Sequence, residues 1–489
     1  MYRELLKKVS QLGESKVLLV GDFMLDSYVY GDALRISPEA PVPVLKVMKR
    51  ENKCGGAASV AADLAALGAK AVCIGIIGND DNGRILSELL SACGADTSGL
   101  LVSANRPTTT KQRLIGLAQH RHQQQLMRID DEVSEPVGGG DAADILKLYK
   151  SAVEKADIVC LQDYAKGILS PELTREFVAI ARKAGKRVVV DPPLRNDYSK
   201  FIGSSTMTPN RQEASLVVGF PIETQADAER AAGILLEKFE LEAAIITMDK
   251  DGAYLKTKER SMMVPTIART VYDVTGAGDV VLAALAVALA CGWDYYSAVN
   301  LANIAGGLEV EKFGVATVSR DEIISELIER CNEKIGKCIE QHELPDVLNY
   351  HRVRKETIVF TNGCFDVIHR GHIEYLRFAK QQGDVLIVGL NSDRSVRENK
   401  GPSRPINNES DRAAVLAALE CVDYVVIFDE LTPVDIVPKV CPDILVKGED
   451  WKDKGVVGRE FVEARGGKVV LAKMVEGKSS TSIINKIQG

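Results

Sequence analysis

Two stretches of the 489-residue sequence combine residue types and spacings that suit phosphate chemistry. In "DVTGAGDVVLAALAVALACG", Gly276, Ala277, Gly278 and Asp279 stand directly before a long apolar helical run. Glycines let backbone N–H groups crowd a phosphate, and a helix N-terminus adds partial positive charge. An acid there is unfavourable for anion binding by charge alone. It makes sense if Asp279 takes the proton of an attacking hydroxyl while the amides hold the moving phosphoryl group. The same letters also describe a glycine turn with an Asp helix cap. In "TNGCFDVIHRGHIEYL", His369 and His372 flank a glycine after an apolar run, and they are two of only six histidines. A metal site would need a third ligand, with Cys364 the nearby soft candidate. Core or capping histidines are a second explanation. A phosphate cradle at a helix N-terminus fits best. "GKSS" (477–480) is not a phosphate-binding P-loop, because Ala472 stands where that loop needs its first glycine.

The elements that must position these residues are legible as an alternation. Short apolar runs at 16–22, 71–80, 156–164, 186–193 and 243–249 end in or run into Gly, Asp or Pro, and helical patterns lie between them. Such a series predicts a mostly parallel sheet covered on both faces, with ligands at the carboxyl ends of its strands. From residue 318 a charged amphipathic helical stretch without strands interrupts the series. A second α/β series follows at 357–366, 385–393, 424–430, 444–450 and 468–474. The reading is a first domain at 1–318, a helical linker at 319–355 and a second domain at 356–489. Both domains are α/β, as the length allows.

Composition is that of a soluble globular protein, with 46% hydrophobic and 26% charged residues. A net charge of −7 argues against a nucleic-acid partner. No apolar run is long enough for a membrane span, and the N-terminus reads as an amphipathic helix entering a strand rather than a signal peptide. Ten scattered cysteines suit reduced thiols in the cytoplasm.

"DVTGAGD" resembles the signature of the ribokinase-like (PfkB) sugar kinases. The upstream Gly55-Gly56 pair and the N-x-x-E motif at Asn210 and Glu213 resemble that family's further motifs. The resemblance implies a three-layer α/β/α fold with a small β lid from residues near 27–50 and 106–130, and a homodimer formed through that lid. It implies Asp279 as base, the Gly276–Gly278 backbone as anion hole, and Asn210 and Glu213 near Mg²⁺, chiefly through water. Thr247, Asp249 and Gly252 would form one wall of the ATP site, with Asn303 and Gly306 on the adenine side. Asp26, Gly55 and Gly56 would meet sugar hydroxyls. "RISPEAPVPV" (35–44), "QQLMRID" (124–130) and "DYAKG" (163–167) resemble one subfamily, the kinase half of bifunctional heptose-phosphate kinase/adenylyltransferases. Its sugar carries a 7-phosphate, for which Lys111, Arg113, Arg128 and Lys166 are candidate clamps and Asp163 a further contact. Two places depart from the subfamily pattern. "DPPLRND" (191–197) lacks the usual lysine, with Arg195 a substitute, and "GLAQHRHQQQL" (116–126) is longer and carries His120 and His122.

"TNGCFDVIHRGH" resembles the HxGH signature of nucleotidyltransferases that include cytidylyltransferases, pantetheine-phosphate adenylyltransferase and class I tRNA synthetases. "LNSDRSVRENKGPSRPI" (390–406), "LVKGEDW" (445–451) and "EGKSSTSII" (476–484) follow in the order of the sugar adenylyltransferases. This implies a Rossmann-like domain in which His369, His372 and the backbone of Asn362, Gly363, Cys364 and Phe365 approach ATP phosphates. Lys400 and Arg404 would neutralise charge, Ser480 and Thr481 would contact the β/γ-phosphates, and Asp393 would meet substrate or nucleotide. The combined expectation is ATP and Mg²⁺ at both sites, and two steps of ADP-heptose synthesis for surface glycans such as the lipopolysaccharide core. A separate phosphatase would act between them. A kinase fused to a cytidylyltransferase for another sugar or polyol phosphate is one alternative; a catalytically silent nucleotide sensor or scaffold is another.

Overall fold

The computed structural model describes residues 2–116, 124–266, 276–312, 316–335, 337–452 and 455–473. The chain divides into two compact units, Arg3–Leu327 and Ile328–Gly489.

The first unit is built on a nine-stranded sheet. Its strands run in the order Ser261–Val264, Ala253–Thr257, Ala243–Thr247, Thr206–Met207, Arg187–Asp191, Ile158–Gln162, Lys16–Gly21, Lys70–Gly78 and Asp96–Ser103. All neighbours are parallel except the two strands at the Ser261 edge. Central strands such as "IVCLQ" are buried along their whole length. Alternate residues Leu18, Val20, Val159, Leu161, Val188 and Val190 enter one core cluster with Tyr149, Phe177 and Leu235 from covering helices. The intervening Val17, Leu19, Cys160 and Val189 are equally buried on the opposite face, as period-two geometry requires when both faces are covered. The sequence-based reading omitted the strands at 96–103, 206–207, 253–257 and 261–264. Their runs are short, polar or interrupted.

Four further strands form the small lid sheet in the order Pro43–Gly56, Phe23–Ile36, Thr110–Gly116 and Gln124–Asp131. Val47, Met48, Met127 and Ile129 are exposed on it.

The second unit has a six-stranded, all-parallel sheet. Its order is Cys338–Ile339, Tyr424–Phe428, Val385–Asn391, Ile358–Gly363, Ile444–Gly448 and Lys468–Ala472. The stretch expected to be a strandless linker therefore differs. After the helix Arg320–Ile335, Cys338–Ile339 pairs with Val425 and Val426, and Ile339, Leu344, Val347 and Leu348 join the second unit's core. Charge around these few apolar residues hid them from a periodicity reading.

One fully buried cation holds the loops above this sheet. Arg412 donates to the carbonyls of Cys364 (2.6 Å), Asn391 (2.8 Å) and Asn407 (3.0 Å) and to Asp393 Oδ1 (2.6 Å). Arg412→Leu would leave those acceptors unpaired, and should destabilise this unit by about 3 kcal/mol, read from its denaturant midpoint.

Among the described residues, no helix is long and apolar enough to cross a membrane.

Candidate active sites

In the first sheet the chain order reverses between Lys16–Gly21 and Ile158–Gln162, and a crevice at such a switch point is the expected ligand site of an open α/β sheet. Gly21 permits the close approach there, since a Cβ would lie 2.4 Å from the Gln162 carbonyl. Over these strand ends stands the N-terminus of the helix Ala277–Ala290. Gly276 caps it at φ 104°, a left-handed conformation suited to glycine, and its residues from Val280 to Leu289 are almost all buried. Residues 267–275, including the expected strand before the signature, lie outside the described residues.

Asp279 is buried in the first turn of this helix. Its Oδ1 accepts from Gln162 Nε2 (2.8 Å) and from the Tyr164 hydroxyl (2.9 Å). Burial first, then the nearby Asp191 carboxylate, push its pKa up to about 8, against the pull of hydrogen bonds from Tyr164 and Ser59. Gln162 Nε2 also donates to Asp191 Oδ2 (3.0 Å), and burial raises Asp191 to about 6. The loop carrying Tyr164 is held by Asp22, whose Oδ2 accepts the amides of Tyr164 (2.9 Å) and Lys166 (3.0 Å). The sequence reading singled out none of Gln162, Tyr164, Asp191 or Asp22. Their shared signal is position, each at or just beyond the carboxyl end of a central strand.

On the lid, Asp26 is buried and paired with Arg113 at 2.8 Å. Gly55 leaves room for it, because a Cβ would come within 2.8 Å of the Asp26 carboxyl. Gly56, at φ 56°, turns the chain into the helix Ala57–Ala66. Lys111 lies over the Tyr164 ring, 5.0 Å from its centroid, and burial holds its pKa below the usual lysine value. Lys166 pairs with Glu132 (2.7 Å), Arg128 with Asp130 (2.7 Å), and Arg195 is exposed. Asp163, expected at the sugar, is buried against Lys200, and its Oδ1 accepts the Ala165 amide. His120 and His122 fall outside the described residues.

On the nucleotide side, Asn210 and Glu213 form a reciprocal capping box on the helix Arg211–Val218. Glu213 Oε2 accepts the Asn210 amide (2.7 Å), and burial followed by Asp191 raises its pKa to about 7. Thr247 ends a strand, and Asp249 pairs with Arg211 at 3.0 Å. Gly252, at φ 105°, could carry no side chain, since a Cβ would lie 2.3 Å from the Val264 carbonyl. Asn303 Nδ2 donates to Val264 O (2.8 Å), and Gly306 lies against Val281, where a Cβ would come within 3.1 Å.

In the second sheet the order reverses between Ile358–Gly363 and Ile444–Gly448. Beyond the first of these, Phe365 adopts φ 44°, and Gly363 admits its ring, which a Cβ would approach to 3.0 Å. His369 caps the helix Arg370–Lys380, and its ring stacks on His372 with centroids 3.9 Å apart. Burial, with His369 and Lys400 nearby, lowers His372 to about 4. The expected cradle therefore offers a neutral imidazole at His372 near pH 7, a hydrogen-bond donor rather than a cation. Arg404 Nε is engaged by Asp366 (2.5 Å), while its Nη2 and Asn362 Oδ1 are buried without a hydrogen-bond partner among the described residues. Asp393 is held by Arg412 (2.6 Å), which leaves it less free for substrate than expected. Lys447 was missed in "LVKGEDW". It is buried, donates to Asn362 O (3.2 Å), and burial lowers it to about 8. Ser480 and Thr481 lie outside the described residues.

Both units resemble known proteins. Residues 14–322 match the pfkB family of carbohydrate kinases, and residues 360–486 match a cytidylyltransferase-like family. The chain is 44% identical to the bifunctional protein HldE of Geobacter metallireducens, over 96% of this chain and 95% of that protein. It is also 44% identical to the bifunctional protein HldE of Campylobacter fetus, over 97% and 99% respectively. Among solved structures, Arabidopsis thaliana ribokinase complexed with ribose and ATP aligns with a TM-score of 0.52 at 21% identity, covering 64% of this chain and 99% of that one. Escherichia coli phosphofructokinase-2 in complex with substrates and products aligns with a TM-score of 0.53 at 19% identity, covering 65% and 100%. At such identities the structural likeness carries the ribokinase-like fold. The chain belongs to the HldE family of bifunctional proteins, with a pfkB-type carbohydrate kinase unit followed by a cytidylyltransferase-like nucleotidyltransferase unit.

Proposed function

We propose that the chain catalyses two steps of ADP-heptose synthesis. The first unit transfers the γ-phosphoryl group of ATP to O1 of D-glycero-β-D-manno-heptose 7-phosphate, giving the 1,7-bisphosphate. The second transfers an adenylyl group from ATP to D-glycero-β-D-manno-heptose 1-phosphate, releasing pyrophosphate. The observation that carries this reading is the near full-length similarity to HldE proteins in a chain whose two switch-point sites hold Asp279 and the His369/His372 pair.

In the kinase site, the donors on Asp279 Oδ1 orient the carboxylate, which takes the O1 proton as O1 attacks the γ-phosphorus and ADP leaves. Lys111, partly desolvated and over Tyr164, suits the 7-phosphate, with Arg113 and Lys166 beside it. Mg²⁺ would be held near Glu213 and Asn210. Such an ion is held largely by water and nucleotide phosphates. When bound, that ion neutralises phosphate charge. In the second site, His369, His372, Lys400, Arg404 Nη2 and Lys447 surround the place for a triphosphate. Heptose 1-phosphate attacks the α-phosphorus in line, with no protein nucleophile. The exposed apolar residues of the lid suit a homodimer. A phosphatase must act between the steps, in the cytoplasm, ahead of surface-glycan assembly.

Product analysis by mass spectrometry tests this reading. Heptose 1-phosphate with ATP should give ADP-heptose, and CTP in its place should give little CDP-sugar. Preferential use of CTP would support the cytidylyltransferase alternative and overturn the second step.

A further inference from the structure

We infer that Tyr164 is a positioning residue joining the cationic end of the sugar site to the base of the kinase reaction. This rests on the reading of Asp279 as that base.

One side chain makes both contacts. The Tyr164 hydroxyl donates to Asp279 Oδ1 at 2.9 Å, and its ring face lies beneath Lys111 Nζ, 5.0 Å from the centroid. Its backbone cannot drift, because Asp22 Oδ2 accepts its amide at 2.9 Å and the Lys166 amide at 3.0 Å. Gln162 Nε2 donates to the same Asp279 oxygen at 2.8 Å. Two donors on Oδ1, with a further side-chain hydrogen bond from Ser59, fix the carboxylate plane that meets the incoming hydroxyl. A phosphate drawn to Lys111 settles that cation against the Tyr164 ring, and the same ring carries the hydroxyl that aims the base. A sugar that brings its own phosphate would then meet an aligned base, whereas an uncharged sugar would lose alignment as well as affinity.

The groups facing Asp279 are Asp191 from the strand Arg187–Asp191, Asp26 from the lid, Asp63 and Ser59 from the helix Ala57–Ala66, and Gln162 and Tyr164 from the strand end and loop. Three of these are acids that favour protonation of the base. The hydrogen bonds from Tyr164 and Ser59 oppose them.

The test uses the full-length protein, with adenylyl transfer to heptose 1-phosphate in the same preparation as a control for folding. Tyr164→Phe keeps the ring and removes the hydroxyl. It should lower kinase kcat about tenfold, leave KM for heptose 7-phosphate within about twofold, and move the acid limb of the kcat–pH profile up by about one pH unit, as loss of one charged hydrogen bond implies. Tyr164→Leu removes both contacts and should raise KM as well. The inference is overturned if Tyr164→Phe keeps wild-type kcat and acid limb, or loses kcat equally at every pH with the limb unmoved. Asp279→Asn separates the two readings: retained kinase turnover in that variant means that the base assignment itself fails, whatever Tyr164→Phe does.

Discussion

Asp279→Asn should lower kinase turnover by about a thousandfold, within the range for a lost general base, and leave adenylyl transfer unchanged. The substitution is isosteric and keeps the polar side chain in the first helical turn, but the amide cannot take a proton from O1. Loss of activity through unfolding is not expected. The folded-state pKa of Asp279 is raised from 3.8 to about 8, so the native state favours the protonated form. The stability this provides is complete below the unfolded value and is lost as pH rises from about 4 through about 8. A neutral Asn escapes that loss, so the variant's melting temperature at pH 8 should match or exceed the wild type's. The same shift has a kinetic side. In the wild-type enzyme, kcat/KM for the kinase step should rise with pH through an acid limb as Asp279 loses its proton, and that limb should vanish with Asn.

His369→Ala and His372→Ala should each lower kcat for adenylyl transfer by about 10²- to 10³-fold, the scale for one missing preorganised donor, while KM for ATP changes far less. His372 is neutral in the free protein because burial, His369 and Lys400 all disfavour its charge. Stacked imidazoles 3.9 Å apart would also repel if both were protonated. Binding a triphosphate supplies the missing negative charge, so ATP should bind with proton uptake, measurable as a buffer-dependent enthalpy in titration calorimetry. Near-normal turnover in both alanine variants would remove the histidine pair from the reaction.

The parts of this molecule legible in the sequence are those written in local patterns. Central strands such as Ile158–Gln162 and Val385–Asn391 read as apolar runs because both of their faces are buried. The two glycine-bearing signatures also read directly, since a helix N-terminus against phosphate constrains residue type and spacing together. Groups assembled by packing between distant segments could not be read. Tyr164 and Asp279 are separated by 115 residues, and Arg404 and Asp366 by 38. A sequence shows an arginine at 404 but not the carboxylate that already holds its Nε. The pairing of Asp163 was hidden for the same reason: its neighbour Lys200 is remote in the chain. Lys447 was hidden in a strand end, where a lysine ordinarily reads as an exposed terminus rather than a cation 5% exposed beside Asn362. The strand at 338–339 shows the limit for fold: two residues carry no period, and only their pairing with Val425 and Val426 defines them.

The most direct measurement is mass spectrometry of one reaction mixture containing heptose 7-phosphate, ATP, Mg²⁺ and a 7-phosphatase, run with wild type, Asp279→Asn and His372→Ala. Wild type should carry the sugar to ADP-heptose. Asp279→Asn should leave heptose 7-phosphate unconverted and form ADP-heptose only from added heptose 1-phosphate, and His372→Ala should accumulate heptose 1-phosphate. ADP-heptose formed from heptose 7-phosphate by Asp279→Asn, or no sugar product from the wild type, would contradict the assignment of the two chemistries to these two sites.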